Sequence, residues 1–238
     1  MDAAVDPGAE PLVGSAATVV LIRDGARGAE VLLGERPHDR GSFAGAWVFP
    51  GGAVDEADAG SDPVGSREAA RRAAVRETYE EVGLRLGVDD LIEFALWNPP
   101  KGVPKRMRTW FFAARAPLGD IHLAVDEFVE AEWLTPVEAL ERHAEGAMTL
   151  FPPTWVTLHE LRWAGTADDA LAALDAQELR AYTGRFDDDR TTLFWQEDEH
   201  FHTDVRDHRA VPDDGPDAEG ARHRLMMDRL PWVYLHQF

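Results

Sequence analysis

The sequence predicts an α+β fold, an α/β/α sandwich built on a mixed sheet with extra C-terminal helices and a tail. Short β-branched apolar runs cluster between glycine-rich turns, and stretches of helical length interrupt them without the steady βαβ alternation of a doubly wound sheet. The balance of 45% hydrophobic and 29% charged residues belongs to a chain that buries a core.

Ala16 to Arg23 and Glu30 to Arg36 are apolar runs joined by Asp24-Gly25-Ala26-Arg27-Gly28, which predicts a hairpin. Trp47-Val48-Phe49 reads as a short strand closed by Pro50-Gly51-Gly52, and a Gly- and Asp-rich loop runs on to Pro63. A long helix from Pro63 to Val82 ends at Gly83, where a left-handed residue stops helices. Leu91 to Trp97 and Met107 to Arg115 form a strand pair around the Pro-rich basic loop Asn98 to Arg106. Phe128 to Trp133 is a further strand, and Thr135 caps a helix through His143. Pro153 to Trp163 and Thr166 to Ala176 are helical by pattern. Beyond them, Thr191 to Trp195 and Arg224 to Leu235 are apolar pieces separated by the acidic stretch Val211 to Gly220, expected to be a mobile loop. The expected division is a flexible N-terminus over 1–14, a principal domain over 15–176 and an extension over 177–238 packed on it.

Carboxylates outnumber Lys plus Arg by 44 to 24, a formal net charge of -20, so a nucleic-acid backbone would be repelled. Without cysteine there are no disulfides, thiolate zinc sites or cysteine nucleophiles. The first segment lacks the basic start and apolar run of a signal peptide, and no apolar stretch approaches the roughly 18 to 20 residues that span a bilayer. The expectation is a cytoplasmic protein without nucleic-acid or membrane partners, with a homodimer as the candidate assembly.

At about 100° per residue, Val75, Thr78, Tyr79 and Val82 share one helix face, which predicts the inward side. Glu77, Glu80 and Glu81 fall together opposite it, beside Ala69 and Ala73. A Glu-rich face ordinarily meets solvent. Like charges at these spacings repel, however, and no Lys or Arg at matching positions on that face relieves them. Mg²⁺ or Mn²⁺ would, because hard cations take oxygen ligands.

Glu68, seven intervening residues, then Arg76-Glu77-Thr78-Tyr79-Glu80-Glu81-Val82-Gly83-Leu84 resembles the Nudix box, G-x5-E-x7-R-E-U-x-E-E-x-G-U, with Gly52 as its opening glycine. Two departures stand out. Fifteen residues, Ala53 to Arg67, separate Gly52 from Glu68 where the pattern has five, and Thr78 replaces an apolar residue. Neither removes a charged position, and loop length costs little.

The resemblance implies a Nudix fold and a metal-dependent hydrolase that cuts a diphosphate linkage in a nucleotide derivative. Glu77, Glu80 and Glu81 would be metal ligands with the Gly51 carbonyl, Arg76 would orient carboxylates, and Glu68 would support the loop and helix start. Asp126 to Leu134 resembles the segment in which many Nudix enzymes place a further acid before a tryptophan. Glu127 is the candidate there to join the metals or act as base, with Glu130 second.

Phe43 to Gly52, Trp97-Asn98-Pro99-Pro100, Pro104 to Phe112 and Pro152-Pro153-Thr154 resemble the peroxisomal coenzyme A diphosphatase branch and its bacterial relatives. That branch implies hydrolysis of coenzyme A or acyl-CoA. Its signature R-x3-G-x3-F-P-G-G is met at Gly45 and Phe49, while Arg40 lies one residue early. Lys101, Lys105, Arg106 and Arg108 form a basic island suited to a substrate with several phosphates. Arg36 and Arg40 are further substrate candidates, and Trp47, Trp97 and Trp110 either stack on a base or fill the core. His200-Phe201-His202-Thr203-Asp204 reads as an ordinary polar strand. The alternatives are an ADP-ribose or NADH-type pyrophosphatase, and a ligand sensor of the same fold without catalysis; the carboxylate set and the lack of a helix-turn-helix pattern weigh against the sensor.

Overall fold

In the computed structural model of the chain, residues 12, 14–40, 43–202 and 220–237 are described. The expected flexible N-terminus and mobile acidic loop fall almost wholly outside them. Strand β1 (Gly14–Gly25) turns at Gly25 and Gly28 into β2 (Gly28–Glu35), giving the predicted hairpin. β3 (Trp47–Val48) and β4 (Gly51–Ala53) follow, then β5 (Ile92–Asn98), β6 (Met107–Arg115) and β7 (Glu130–Leu134). β8 (Arg180–Phe186), β9 (Thr192–Trp195), β10 (Arg222–Met226) and β11 (Val233–Gln237) continue the same sheet. Its order is β11-β10-β9-β8-β5-β6-β1-β2-β3, with β4 on β1 and β7 on β2. β1 with β6 and β5 with β8 are parallel and the other pairs antiparallel, so the sheet is mixed as predicted.

Alternation along β1 builds the sandwich, because successive side chains of a strand point to opposite faces. Val19 and Leu21 join Phe112 and the alanines of helix α2 (Arg67–Val82) in one core cluster. Val20 and Ile22 join Val31, Leu33 and residues of α3 (Pro136–Ala144), α4 (Pro152–Leu161) and α5 (Ala167–Asp175) in the other. The expected Thr135 cap is present, its hydroxyl accepting from the Glu138 amide at 3.2 Å, and at the start of α5 Thr166 and Asp169 cap each other's backbone.

Four expectations are corrected. Helix α2 begins at Arg67, with the Ser66 hydroxyl accepting from the Ala69 amide, and not at Pro63. The loop before it contains a one-turn helix, α1 (Glu56–Ala59). The inward face of α2 is also rotated from the expected one, since Ala69, Ala70, Ala73, Ala74, Thr78, Glu81 and Val82 are buried while Tyr79 is 45% exposed under Arg85. Small side chains bring a helix close to a sheet, so the packing stripe here is marked by size and not by hydrophobicity. His200 and His202 lie in turns after β9, not on a strand, while Thr203 and Asp204 are outside the described residues.

The tail holds more regular structure than its sequence announces. Arg180-Ala181-Tyr182-Thr183-Gly184-Arg185-Phe186 has only Tyr182 fully buried, too weak a pattern to predict β8. Arg224 to Leu235 is not one segment but the β10–β11 hairpin. Tyr182 joins the tail to the body: it stacks on its parallel-strand partner Trp97 with centroids 3.9 Å apart, and its hydroxyl donates to Glu160 of α4 at 3.0 Å.

Tyr182→Ala should therefore lower unfolding free energy by about 3–5 kcal/mol, the cost of truncating a buried aromatic. Urea denaturation measures it. A loss under about 1 kcal/mol would mean that the last four strands do not share the principal core.

Candidate active site

The site forms where β1 and β2 part. Ile22 to Gly25 of β1 pair with β2, but Ala16, Ala17 and Thr18 pair with Ala53, Gly52 and Gly51 of β4, while Val31 to Glu35 of β2 turn to β7. Two glycines let the helix come close to this fork. Gly51 sits at φ +153, where a Cβ would lie 2.2 Å from the Ala17 carbonyl oxygen, and a Cβ on Gly52 would overlap the Glu77 carboxyl group at 2.5 Å. The last two turns of α2 thus press their carboxylates against bare backbone, and the Gly51 N–H donates to Glu81 Oε2 at 2.8 Å.

The far side is supplied by a turn fastened to the end of α2. The amides of His122 and Ala124 donate to the carbonyls of Val82 and Glu81, which otherwise lack helical partners. Phe128 is buried under Gly34, where any Cβ would meet its ring. Between these anchors Glu127 reaches Arg36, whose Nη1 lies 2.9 Å from Glu127 Oε2 and 3.4 Å from Glu81 Oε1. Glu130 is exposed at the start of β7, opposite Glu35.

Arg76 closes the third side. Its Nη1 donates to Glu77 at 2.8 Å and Glu80 at 2.9 Å, so the glutamates expected to lack a relieving cation have one, whose guanidinium reaches back from the adjoining residue. Its Nε and Nη2 donate to both oxygens of Asp58 in α1. Sequence reasoning misses Asp58, since four residues carry no helical periodicity. The available signal is an acid at Asp55 and another three residues on, followed by Gly60, the spacing of a reciprocal cap. Glu68 is exposed in the first turn of α2, where its charge suits the helix N-terminus.

The NUDIX domain family profile matches residues 13–152. The chain belongs to the NUDIX family. Among solved structures it is similar to a NUDIX hydrolase from Alicyclobacillus acidocaldarius, with 25% identity and a TM-score of 0.61 over 70% of this chain and 98% of that one. A MutT NUDIX hydrolase from Burkholderia pseudomallei matches with 22% identity and a TM-score of 0.47, over 62% of this chain and 97% of that one. The NUDIX domain of Shewanella oneidensis NrtR, solved with ADP ribose, matches with 17% identity and a TM-score of 0.49, over 66% and 92%. No curated protein matches the sequence. The protein is a Nudix hydrolase acting on phosphoric anhydrides.

Nudix hydrolases generally use divalent metal ions, and this site suits one. Burial, at 3% exposure, pushes the Glu81 carboxyl up to about 8; the Gly51 N–H and Arg36 oppose the shift, and repulsion from Glu77 and Glu127 adds to it. Burial also raises Glu77, against the pull of Arg76. Carboxylates crowded in a half-dry fork accept their charge when a cation shares it. The carboxylates of Glu77, Glu80 and Glu81 beside Gly51 offer oxygen ligands, the donor type that a hard divalent ion would take. In the side-chain positions seen, arginines share those charges, and among the described residues no three acidic or imidazole groups close on one point.

The other expected substrate residues divide. Arg40 lies 3.3 Å from Asp126, next to Glu127 in sequence, and so flanks the site. Trp47 is 6% exposed in the core cluster behind the sheet, and Trp97 is buried against Tyr182, so both rings fill the interior and do not offer a face to a base. Trp110 packs against the α2 side. In the basic loop Arg106 donates to the carbonyls of Pro99 and Pro100, Arg108 to Asn98 Oδ1, and Lys105 holds a positive φ of 50°. None of these contacts reaches the glutamates.

The raised Glu81 has a measurable sign. Its neutral form is favoured by the fold, so the stability it contributes is full below about pH 4.5 and is lost as pH rises through about 8. In chelator, Glu81→Gln should gain stability relative to wild type between about pH 5 and 8.5, by a few kcal/mol at most. Denaturation midpoints across that range test this, and a constant difference between the two proteins would refute it.

Proposed function

We propose that this Nudix hydrolase cleaves the diphosphate linkage of a nucleotide derivative, with Mg²⁺ or Mn²⁺ held by Glu77, Glu80, Glu81 and the Gly51 carbonyl. The observation that supports it is the placement of Glu77 against Gly52 and of Glu81 on the Gly51 amide at the strand fork, with Arg36 linking Glu81 to Glu127. Bound there, the metal supplies Lewis-acid polarisation of a phosphoryl oxygen and charge neutralisation. Glu127 takes the proton of the attacking water as its oxygen bonds to phosphorus, and the bridging P–O bond breaks to release two phosphate products. Arg36, already between Glu81 and Glu127, places a guanidinium where a phosphate oxygen would need one. Arg76 holds Glu77 and Glu80 in orientation.

For substrate we propose coenzyme A or an acyl-CoA. The support is the run Phe43 to Gly52 ahead of the box and the cationic loop from Lys101 to Arg108, in which Arg108 lies beside Ser15 at the start of β1. Coenzyme A carries a 3'-phosphate that ADP-ribose lacks, and a cationic loop separates the two. Cleavage would yield adenosine 3',5'-bisphosphate and a 4'-phosphopantetheine compound.

Turnover should vanish after exhaustive chelation and return with Mg²⁺ or Mn²⁺; full activity in chelator would refute the metal reading. Glu81→Gln should keep the fold and lower turnover by about two or more powers of ten, the scale of a single electrostatic contributor. Glu127→Gln should cost more than Glu130→Gln in the same assay, and equal small effects would remove both from the chemistry.

Specificity is read by mass-spectrometric product analysis on a nucleotide panel. A charge-assisted contact to the 3'-phosphate is worth about 1.5–3 kcal/mol, or roughly tenfold to a hundredfold in relative efficiency. Arg108→Ala should therefore weaken use of coenzyme A more than use of its 3'-dephosphorylated form. Preference of the wild type for ADP-ribose over both would overturn the coenzyme A assignment and leave the hydrolase untouched.

A further inference from the structure

The enlarged loop between Gly52 and Glu68 carries a side chain for which the family pattern makes no provision. Arg76 spends one edge of its guanidinium on Asp58, with Nε to Oδ1 at 3.1 Å and Nη2 to Oδ2 at 2.8 Å, the two-point fork that fixes an arginine in plane. The opposite nitrogen is left to Glu77 and Glu80, and Nη2 also reaches the Ala53 carbonyl at 3.0 Å.

Asp58 is itself held. It is 5% exposed, and its Oδ2 accepts from the Asp55 amide at 2.9 Å. Arg72, one turn before Arg76 on α2, takes the carbonyl oxygens of Asp58 and Ala59 and the carboxylate of Asp62. Helix α1 is thereby clamped to α2 by two arginines on the same side of the longer helix. Glu68, the acid that the family spacing provides, stands exposed in the first turn.

We propose that Asp58, supplied by the inserted helix α1, is the positioning residue of the metal site and acts there in place of Glu68. It holds the Arg76 guanidinium in one plane, and Arg76 in turn orients the Glu77 and Glu80 carboxylates. The inference rests on the metal reading of the site and concerns only how the ligands are oriented. The insertion is then a brace built into the site and not a tolerated excursion of the loop.

The test is Mn²⁺ binding to the protein alone, without nucleotide, followed by electron paramagnetic resonance. Asp58→Asn keeps an acceptor for the Asp55 amide and removes the charge, and should weaken Mn²⁺ affinity by about tenfold to a hundredfold, as loss of an outer partner of metal ligands does. The loss should exceed that of Glu68→Gln. Unchanged affinity in Asp58→Asn, or a larger loss in Glu68→Gln, overturns the proposal. A second measurement uses metal-free protein and needs no destabilising variant: in ¹⁵N spectra of wild type, the Arg76 Nε–H should exchange with water more than about tenfold slower than that of an exposed arginine. Fast exchange there overturns the proposal as well. Should wild type bind no Mn²⁺, the metal reading fails, and the exchange arm alone decides whether Asp58 fixes Arg76.

Discussion

The close approach of Gly51 and Gly52 to the last two turns of α2 is the constraint on which the site depends. A side chain on Gly52 would occupy the space of the Glu77 carboxyl group, and one on Gly51 would strike the Ala17 carbonyl. Because neither is present, two carboxylates rest against a strand whose own hydrogen bonds to β1 are intact and whose remaining amide faces Glu81. The helix can come this near only because its earlier turns meet the sheet through Ala69, Ala70, Ala73 and Ala74. Larger residues there would lift the glutamates from the fork.

That approach creates an electrostatic problem and the surrounding chain answers it. Burial raises the Glu81 carboxyl, and Glu77 and Glu127 add repulsion. Arg36 and Arg76 bracket the cluster from opposite sides, each with a second anchor: Arg36 lies over the Phe128 ring, and Arg76 is forked to Asp58. A pair of fixed cations paired with these carboxylates suits a reaction in which negative charge enters with the substrate and redistributes between phosphates.

Behind the sheet, the second core supports this arrangement without contributing to it chemically. Trp47, Trp97, Trp155 and Trp195 pack with the helices α3 to α5 and the C-terminal strands. The tryptophans that sequence alone offers as base-stacking platforms are therefore structural at positions 47 and 97, since the register of β3 and β5 turns them away from the face that carries the glutamates.

The box, the hairpin, the cap at Thr135 and the stop at Gly83 were all legible in the sequence, because each depends on neighbours within one or two turns of chain. Glu77, Glu80, Glu81 and Arg76 belong to that class, being fixed relative to one another by helical geometry. Which way α2 faces was not legible, because alanine marks close packing only when the partner surface is known. Asp58 reaches Arg76 across 18 residues and Arg36 reaches Glu81 across 45, and Tyr182 finds Trp97 only through a parallel pairing made late in the chain. The sequence by itself determined the chemistry available on one helix. The tertiary structure decided which charges that helix shares and with what, since Coulombic and packing terms depend on distances that only the folded sheet sets.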